Sequence, residues 1–233
     1  MDALSHLVPN RTALVVVDMQ NGFCSAGGST AKLGLSIERT GRTVIPIRRL
    51  IDAFHAAGAP VMYTKLVLRP DYADAGLLKT KFPPLHSFGH MVDGSWDAAI
   101  VGDLRPADTD FVIRKRRFDS FYDTELELTL RCQGIDTLVM VGVPTNISVD
   151  STVRAAFARD YDVIIPREAT ASYTEEMEAA SLLTLGFMFA HIAPVGAVIA
   201  ALEAGVADRE LASERAEEDE LEVEVDVDEP IGM

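Results

Sequence analysis

Three polar side chains in this sequence are of the types that perform nucleophilic catalysis. Asp18 and Lys115 each follow an apolar segment, and Ser148 lies beyond a third, where the chain turns towards a helix. A carboxylate serves as a base, a hydroxyl as a nucleophile, and an ammonium group stabilises the charge of both. Each also has a structural interpretation: Asp as a loop cap, Ser as a helix cap, and Lys115 as part of a solvated basic run.

The apolar segments before these residues predict a parallel β-sheet. Strands are predicted at 13–17, 60–64, 111–113, 137–142 and 162–165, with a sixth near 187–192. Amphipathic helices are predicted at 44–57, 126–132, 149–159 and 175–185. Strands that are apolar throughout, separated by helices, indicate an α/β fold: a three-layer αβα sandwich with a mostly parallel, Rossmann-like central sheet of about six strands. Ligands bind at the carboxyl ends of such strands, where all three polar residues are expected.

Composition narrows the class of protein. The 233 residues suit one domain, which we place at 1–207, followed by an acidic extension at 208–233 with 12 acidic and 2 basic residues. Alternation at 221–227 predicts an edge strand within that extension. A net charge of −15 disfavours nucleic acid as a partner, and no apolar run is long enough to span a membrane. With two cysteines and no signal peptide pattern, we expect a cytoplasmic protein.

Three ordered segments resemble the signatures of a known family. They are VVVDMQNGFC at 15–24, KRRFDSF at 115–121 and GVPTNISVDSTVR at 142–154. Over residues 10–200 the chain is similar to the isochorismatase-like cysteine hydrolases, nearest the ureidoacrylate and biuret amidohydrolase branch. That resemblance implies hydrolysis of a small amide, ureido or carbamoyl compound through an acyl-enzyme. It assigns Asp18 as general base, Lys115 as its charge partner and residue 148 as nucleophile, and it implies a homodimer or homotetramer without a cofactor.

Motif position also indicates which residues bind substrate, together with a long irregular segment at 66–101 that is typical of a binding loop. Arg117 is expected to hold a substrate carboxylate, with a surface ion pair as the alternative. Trp96 is expected to shape the pocket, with plain packing as the alternative. The candidate substrate-binding residues are Asn21, Phe23, Trp96, Arg117, Phe121, Pro144 and Thr145.

Two positions depart from the family pattern. Ser148 stands where the family has its catalytic cysteine; it is either a substituted cysteine or the residue of a natural cysteine-less member, and its hydroxyl is far less acidic than a thiol. Pro144 fits the cis peptide that the family has here, but it offers no N–H to an oxyanion, and one such donor contributes about 10²–10³ in rate. Two alternatives therefore stay open: a cysteine-independent vinyl ether hydrolase of the isochorismatase type, and a catalytically inactive small-molecule binding protein.

Metal binding is the weaker interpretation of the histidines. His86 and His90 have the i, i+4 spacing that suits two ligands on a helix. Pro83, Pro84 and Gly89 disfavour a helix there, so we predict no metal site. Cys24 and Cys132 are not at the nucleophile position, and we expect them to be inert.

Overall fold

The computed structural model describes Leu4 and residues 7–225, and it describes side chains up to residue 212 except at residue 210. Six strands form one sheet in the order β3-β2-β1-β4-β5-β6, and all neighbouring pairs run parallel. The predicted parallel sheet is confirmed. The strands are β1 (Thr12–Val17), β2 (Val61–Leu66), β3 (Phe111–Lys115), β4 (Thr137–Gly142), β5 (Asp162–Pro166) and β6 (His191–Ala193).

Helices flank the sheet. They are α1 (Asn21–Cys24), α2 (Ser29–Lys32), α3 (Ile37–Gly41), α4 (Val44–Ala56), α5 (Leu78–Lys81), α6 (Leu85–Phe88), α7 (Leu126–Cys132), α8 (Asp150–Phe157), α9 (Glu175–Met188) and α10 (Val195–Val225). Three short 3₁₀ turns occupy Pro9–Arg11, Gly102–Leu104 and Arg167–Ala169. A π-helical turn at Thr145–Val149 leads into α8.

The sheet separates two hydrophobic cores, because successive side chains of a strand point to opposite faces. Leu14 and Val16 of β1 pack in the core formed with α4 and α10. Val15 and Val17 pack in the other core, with α7, α8 and α9. Every residue of β1 is buried, which is expected of a central strand that is covered on both faces. The three-layer αβα sandwich is therefore confirmed.

Several element boundaries differ from the sequence predictions. Lys115 is the last residue of β3 instead of following it. The sixth strand covers only His191–Ala193, because residues 187 and 188 continue α9, whose sequence is rich in helix-forming Glu, Ala, Leu and Met. The edge strand predicted at 221–227 is wrong up to residue 225, where the chain is helical; residues 226 and 227 lie outside the described residues.

The long segment between β2 and β3 has some order of its own. It contains the short helices α5 and α6 and a small hydrophobic cluster of Leu68, Tyr72, Ala75 and Leu85. The domain boundary that we place after residue 207 falls inside α10, and it stays a proposal. None of the helices in the described part of the chain combines the length and hydropathy needed to cross a bilayer.

Candidate active site

Asp18 and Lys115 form a buried ion pair at the carboxyl edge of the sheet. Asp18 Oδ2 lies 2.9 Å from Lys115 Nζ, and both side chains are fully buried. Asp18 directly follows β1 with a positive φ of 51°, a backbone conformation that non-glycine residues seldom adopt and that is frequent at functional sites. Lys115 Nζ also donates to the carbonyl oxygen of Phe118 at 2.7 Å. The ammonium group therefore contacts both a carboxylate and a backbone carbonyl oxygen.

Strand β2 lies between the two strands that carry this pair, and its side chain Thr64 completes the contact. Thr64 Oγ1 donates to Asp18 Oδ1 at 3.3 Å. Ser120 Oγ lies 3.5 Å from Thr64 Oγ1 and 3.0 Å from Thr152 Oγ1. The Asp18 carboxyl therefore ends a chain of buried hydroxyl groups that reaches α8.

Burial sets the proton affinities of the pair. It raises the pKa of Asp18, because a carboxylate loses its hydration there; the Lys115 charge opposes the rise most, followed by Ser148 and Thr64. Burial also lowers the pKa of Lys115, against the attraction of Asp18. Both shifts favour the neutral forms, so Asp18 is a stronger base than an exposed carboxylate.

Ser148 lies in the π-helical turn that follows β4. The Val143–Pro144 peptide is cis, as the resemblance to the family implied, and Val149 N donates to Pro144 O at 3.2 Å. Ser148 is completely buried, and its Oγ makes no well-aligned hydrogen bond among the described residues. It nevertheless lies close enough to the Asp18 carboxyl to help counter the effect of burial on its pKa. The three predicted catalytic residues thus come together.

A small pocket opens beside this site, next to Pro144. Its volume is about 60 Å³, and a single water molecule needs roughly 10–15 Å³ of such space. The lining is apolar apart from Thr30, His90 and Tyr173. The other lining residues are Phe23, Leu33, Leu35, Leu78, Phe82, Leu85, Phe118, Pro144 and Ile147.

Two of the predicted substrate-binding residues, Phe23 and Pro144, line this pocket. Asn21 instead holds the neighbouring loop, since its Nδ2 donates to the carbonyl oxygen of Trp96 at 2.9 Å. Trp96 is 55% exposed and is absent from the lining. Thr145 is buried and absent from the lining, with its Oγ1 2.8 Å from Thr170 Oγ1. Asn21 and Thr145 therefore support the site's backbone rather than facing its cavity.

The residues of the second motif, at 115–121, lie in three different parts of the structure. Phe118 lines the pocket, whereas Phe121 packs in the core beneath α7 and α8, 5.8 Å from the ring of Tyr161. Arg117 lies exposed on an adjoining groove, and its Nη1 donates to the carbonyl oxygens of Asp74 and Arg116. The groove shares Leu78, Phe82 and Phe118 with the pocket, so Arg117 lies at the periphery of the site.

Sequence reasoning missed most of the pocket lining. Thr30 and Tyr173, whose side chains lie close to each other, come from segments that match no signature. Four lining residues belong to the segment at 66–101, which composition alone marked as a binding loop: Leu78, Phe82, Leu85 and His90.

His86 and His90 also lie in different surroundings. A four-residue helix does form at Leu85–Phe88, contrary to the prediction, and it ends where Gly89 takes a left-handed conformation that needs no side chain. His86 packs on Tyr72 with ring centroids 4.3 Å apart, whereas His90 bonds to Ser29. The described residues contain no group of three or more His, Cys, Asp or Glu side chains suited to a metal.

Comparison with known proteins finds related sequences along most of this chain. The isochorismatase domain profile matches residues 12–196. The ureidoacrylate amidohydrolase RutB of Methylobacterium radiotolerans is 36% identical over 209 residues, which is 84% of this chain and 81% of that protein. The RutB of Agrobacterium fabrum is 37% identical over 177 residues, 70% of this chain and 77% of that protein.

Solved structures show the same fold. A cysteine hydrolase from Pseudomonas syringae pv. phaseolicola superposes with a TM-score of 0.77 at 27% identity, covering 84% of this chain and 94% of that one. An N-carbamoylsarcosine amidase from Thermoplasma acidophilum superposes with a TM-score of 0.66 at 27% identity, covering 79% and 96%. By its sequence, its sheet and the motifs around Asp18, Lys115 and Ser148, the chain belongs to the isochorismatase family.

Proposed function

We propose that this protein is an amidohydrolase that cleaves a C–N bond of a small amide, ureido or carbamoyl compound through an acyl-enzyme on Ser148. The observation that carries the proposal is the buried Asp18–Lys115 pair, 2.9 Å apart, with the Ser148 hydroxyl beside the Asp18 carboxyl. The similarity to ureidoacrylate amidohydrolases and to an N-carbamoylsarcosine amidase supports this choice of bond.

In the first half of the reaction, ionised Asp18 takes the Ser148 hydroxyl proton while Oγ attacks the substrate carbonyl carbon. Asp18 then passes that proton to the leaving nitrogen, the C–N bond breaks, and ammonia or an amine departs. In the second half, a water molecule loses a proton to Asp18 and attacks the ester carbonyl. The released acid leaves, and Ser148 Oγ recovers the proton.

Lys115 keeps the base usable inside the protein. Without a nearby positive charge, a fully buried carboxyl would remain protonated and could not accept a proton. Its ammonium group is 2.9 Å from Asp18 Oδ2, and it stabilises the ionised carboxylate that the first step requires. Because burial raises the pKa of Asp18, the ionised form is also a stronger base, as a serine hydroxyl requires.

The pocket limits the size and the polarity of the substrate. A cavity of about 60 Å³ with mostly apolar walls suits a compact molecule with a short hydrocarbon or unsaturated part. The exposed Arg117 at the adjoining groove would meet a carboxylate only at the outer end of such a molecule. We therefore expect small ureido and carbamoyl acids to be better substrates than long-chain amides.

Ammonia release from a panel of small amides, ureido acids and carbamoyl compounds tests the proposal. The protein is compared with Ser148→Cys, Ser148→Ala and Asp18→Asn. We expect Ser148→Cys to be the fastest, since a thiol is more acidic and more nucleophilic, and the other two to be inactive. Ammonia release by Ser148→Ala at the rate of the unaltered protein, or by none of the four forms, would contradict the proposal.

Cys24 needs a separate control because it lies near Asp18. Burial, with a smaller effect of the Asp18 charge, raises the pKa of its thiol to about 12, so the thiolate is scarce at neutral pH. Cys24→Ala should therefore leave ammonia release unchanged in the Ser148→Cys background. Loss of the activity in this double variant would move the nucleophile to Cys24.

One observation favours a second candidate function. The raised pKa of Asp18, caused by burial, helps the carboxyl to hold a proton that it can deliver to the double bond of a vinyl ether. This reaction needs no nucleophile at position 148. Pyruvate release from isochorismate that survives in Ser148→Ala and is lost in Asp18→Asn would support it, and a protein that only binds these compounds would show neither product.

We also infer that the protein forms a homodimer or homotetramer, in the cytoplasm. Large apolar side chains lie exposed together on α8 and α9, and they favour burial against another surface. They are Phe157, Leu183, Phe187 and Met188, of which Phe187 is 81% exposed. Light scattering after size exclusion should give two or four times the chain mass of 25.3 kDa, and Phe187→Glu should lower the measured mass.

A further inference from the structure

A polar cluster on the pocket wall plays no part in the reaction described above. His90 Nδ1 lies 2.6 Å from Ser29 Oγ, and Ser29 Oγ lies 2.7 Å from Asp97 Oδ2. The cluster joins helix α2 to the segment between β2 and β3. Both Ser29 and His90 are buried, so their hydrogen atoms have few alternative partners.

The hydrogen bonds of Asp97 determine where the protons of this cluster lie. Its carboxylate accepts from the backbone N–H groups of Ser29 and Met91, at 2.8 and 2.9 Å, so it acts as an acceptor throughout. The single hydroxyl hydrogen of Ser29 must then be donated to Asp97. Because Ser29 Oγ has no further hydrogen to give, His90 Nδ1 has to be the donor in the 2.6 Å contact.

A histidine that is protonated on Nδ1 and neutral overall leaves Nε2 as an acceptor. Burial lowers the pKa of His90 to about 4, although Asp97 opposes this, so the ring is neutral at ordinary pH. Nε2 has no hydrogen-bond partner among the described residues. It is also not fully buried, since it is missing from the fully buried polar atoms that lack a partner. Since His90 lines the pocket and its Nδ1 points to Ser29, we infer that Nε2 faces the cavity.

We propose that His90 Nε2 accepts a hydrogen bond from an N–H of the bound amide or ureido group, and so selects substrates that carry such a donor. The other polar side chains of the lining, Thr30 and Tyr173, carry hydroxyl groups, which can donate as well as accept. Nε2 of His90 differs from them because, in the Nδ1–H tautomer, it can only accept a hydrogen bond. This inference rests on the proposed function for the class of substrate.

Two substitutions at the same position separate this role from a structural one. In His90→Asn, the side-chain nitrogen takes the place of Nδ1 and keeps the donation to Ser29, but the pocket loses its acceptor. In His90→Gln, the side-chain oxygen reaches the place of Nε2. His86→Asn is the matched control, because it makes the same change in the same segment at an exposed side chain outside the pocket lining.

Kinetics with the best amide of the panel give the first test. We expect His90→Asn to raise KM about tenfold, the equivalent of one neutral hydrogen bond, with a change of kcat below about twofold. His90→Gln should recover part of the affinity, and His86→Asn should match the unaltered protein. A KM that is unchanged in His90→Asn would overturn the proposal.

Nitrogen-15 NMR of the histidine side chains gives a second test that does not depend on turnover. In Ser148→Ala, His90 should show the Nδ1–H tautomer, and its Nε2 resonance should move on addition of acetamide but not of N,N-dimethylacetamide. An Nε2–H tautomer, or equal responses to both amides, would overturn the proposal. If the panel releases no ammonia, the proposed function fails while this measurement still decides the role of His90.

Discussion

Asp18 Oδ2 and Lys115 Nζ lie 2.9 Å apart although the strands that carry them, β1 and β3, are separated by β2. Lys115 reaches across the end of the intervening strand, where Thr64 contacts the same carboxyl group. The pair therefore depends on the registers of three strands at once. Separate substitutions can therefore test the contribution of the pair to stability and the pKa of Asp18.

Loss of one partner should be far more costly than loss of both. Lys115→Met leaves an unpaired carboxyl in a fully buried position, and we expect the free energy of unfolding to fall by about 3–5 kcal/mol. The double variant Asp18→Asn with Lys115→Met should lose less than Lys115→Met alone. Urea denaturation at pH 7 measures both.

Arg48→Met is the control for this comparison, because Arg48 pairs with Asp52 at 3.1 Å on the exposed face of α4. Such a surface pair contributes about 0–1 kcal/mol. If Lys115→Met were as stable as Arg48→Met, the buried ion pair would not be an element of stability in this protein.

The Thr64 hydroxyl should adjust the pH dependence of the reaction. Burial raises the pKa of Asp18, and the hydrogen bond from Thr64 counteracts part of that rise. Thr64→Val removes the donor, so the pKa of Asp18 rises further and a higher pH is needed to ionise the base. We expect the acidic limb of the kcat/KM profile to move upward by up to about one pH unit.

Thr12→Val provides the matched control for Thr64→Val. Thr12 is also fully buried, at the other end of β1, and its Oγ1 has no hydrogen-bond partner among the described residues. The same substitution there should leave the profile in place and keep or improve the stability. An equal shift of the limb in both variants would mean that Thr64 acts through general packing.

The sequence was sufficient to predict the sheet and the grouping of Asp18, Lys115 and Ser148 at its carboxyl edge. Strands such as Thr12–Val17 are apolar throughout, and this pattern marks a covered parallel sheet whose carboxyl ends share one edge. The order of the strands could not be predicted, because no local pattern encodes which strands are neighbours. The contact of Thr64 with Asp18, which depends on β2 lying between β1 and β3, could not be foreseen for that reason.

The pocket lining was harder to predict than the grouping of Asp18, Lys115 and Ser148. Motif position placed Phe121 among the substrate-binding residues, but it is the nearby Phe118 that reaches the cavity, since the turn after β3 directs the two rings to opposite sides of the sheet. His90 contacts Ser29 across 61 residues of sequence, within a segment that lacks any helical or strand period. Such a contact follows from tertiary packing alone.

Burial of neutral His90 should make the protein sensitive to acid. The unfolded chain binds a proton at this residue below about pH 6.5, whereas burial, opposed by Asp97, holds the folded-state pKa at about 4. The folded state therefore loses stability as the pH falls from about 6.5 to 4, by up to about 3 kcal/mol. In His90→Gln this part of the loss should disappear.

Urea denaturation of His90→Gln and His86→Gln at several pH values between 4 and 7 measures the effect. His86 is exposed, so its replacement should leave the pH dependence as it is in the unaltered protein. A steep acid loss that persists in His90→Gln would assign it to other groups. The quantity compared is the slope of the free energy of unfolding against pH, which a constant difference in stability between the variants does not change.

Gly142 is required by the close approach of β4 to β1 immediately before Asp18. Its φ is 115°, and a Cβ atom there would lie 2.0 Å from the carbonyl oxygen of Val17 and 2.7 Å from its nitrogen. The same carbonyl oxygen accepts from Val143 N at 3.0 Å, which connects β1 to the Pro144 turn. Gly142→Ala should therefore lower the free energy of unfolding by more than about 3 kcal/mol and displace both Asp18 and Ser148.

Gly102→Ala is the control, because no atom lies within 4 Å of its added Cβ, and its free energy of unfolding should stay within about 1 kcal/mol of that of the unaltered protein. Thermal unfolding and ammonia release measure both variants, and a stable, active Gly142→Ala protein would show that the two strand ends can separate without loss of the site.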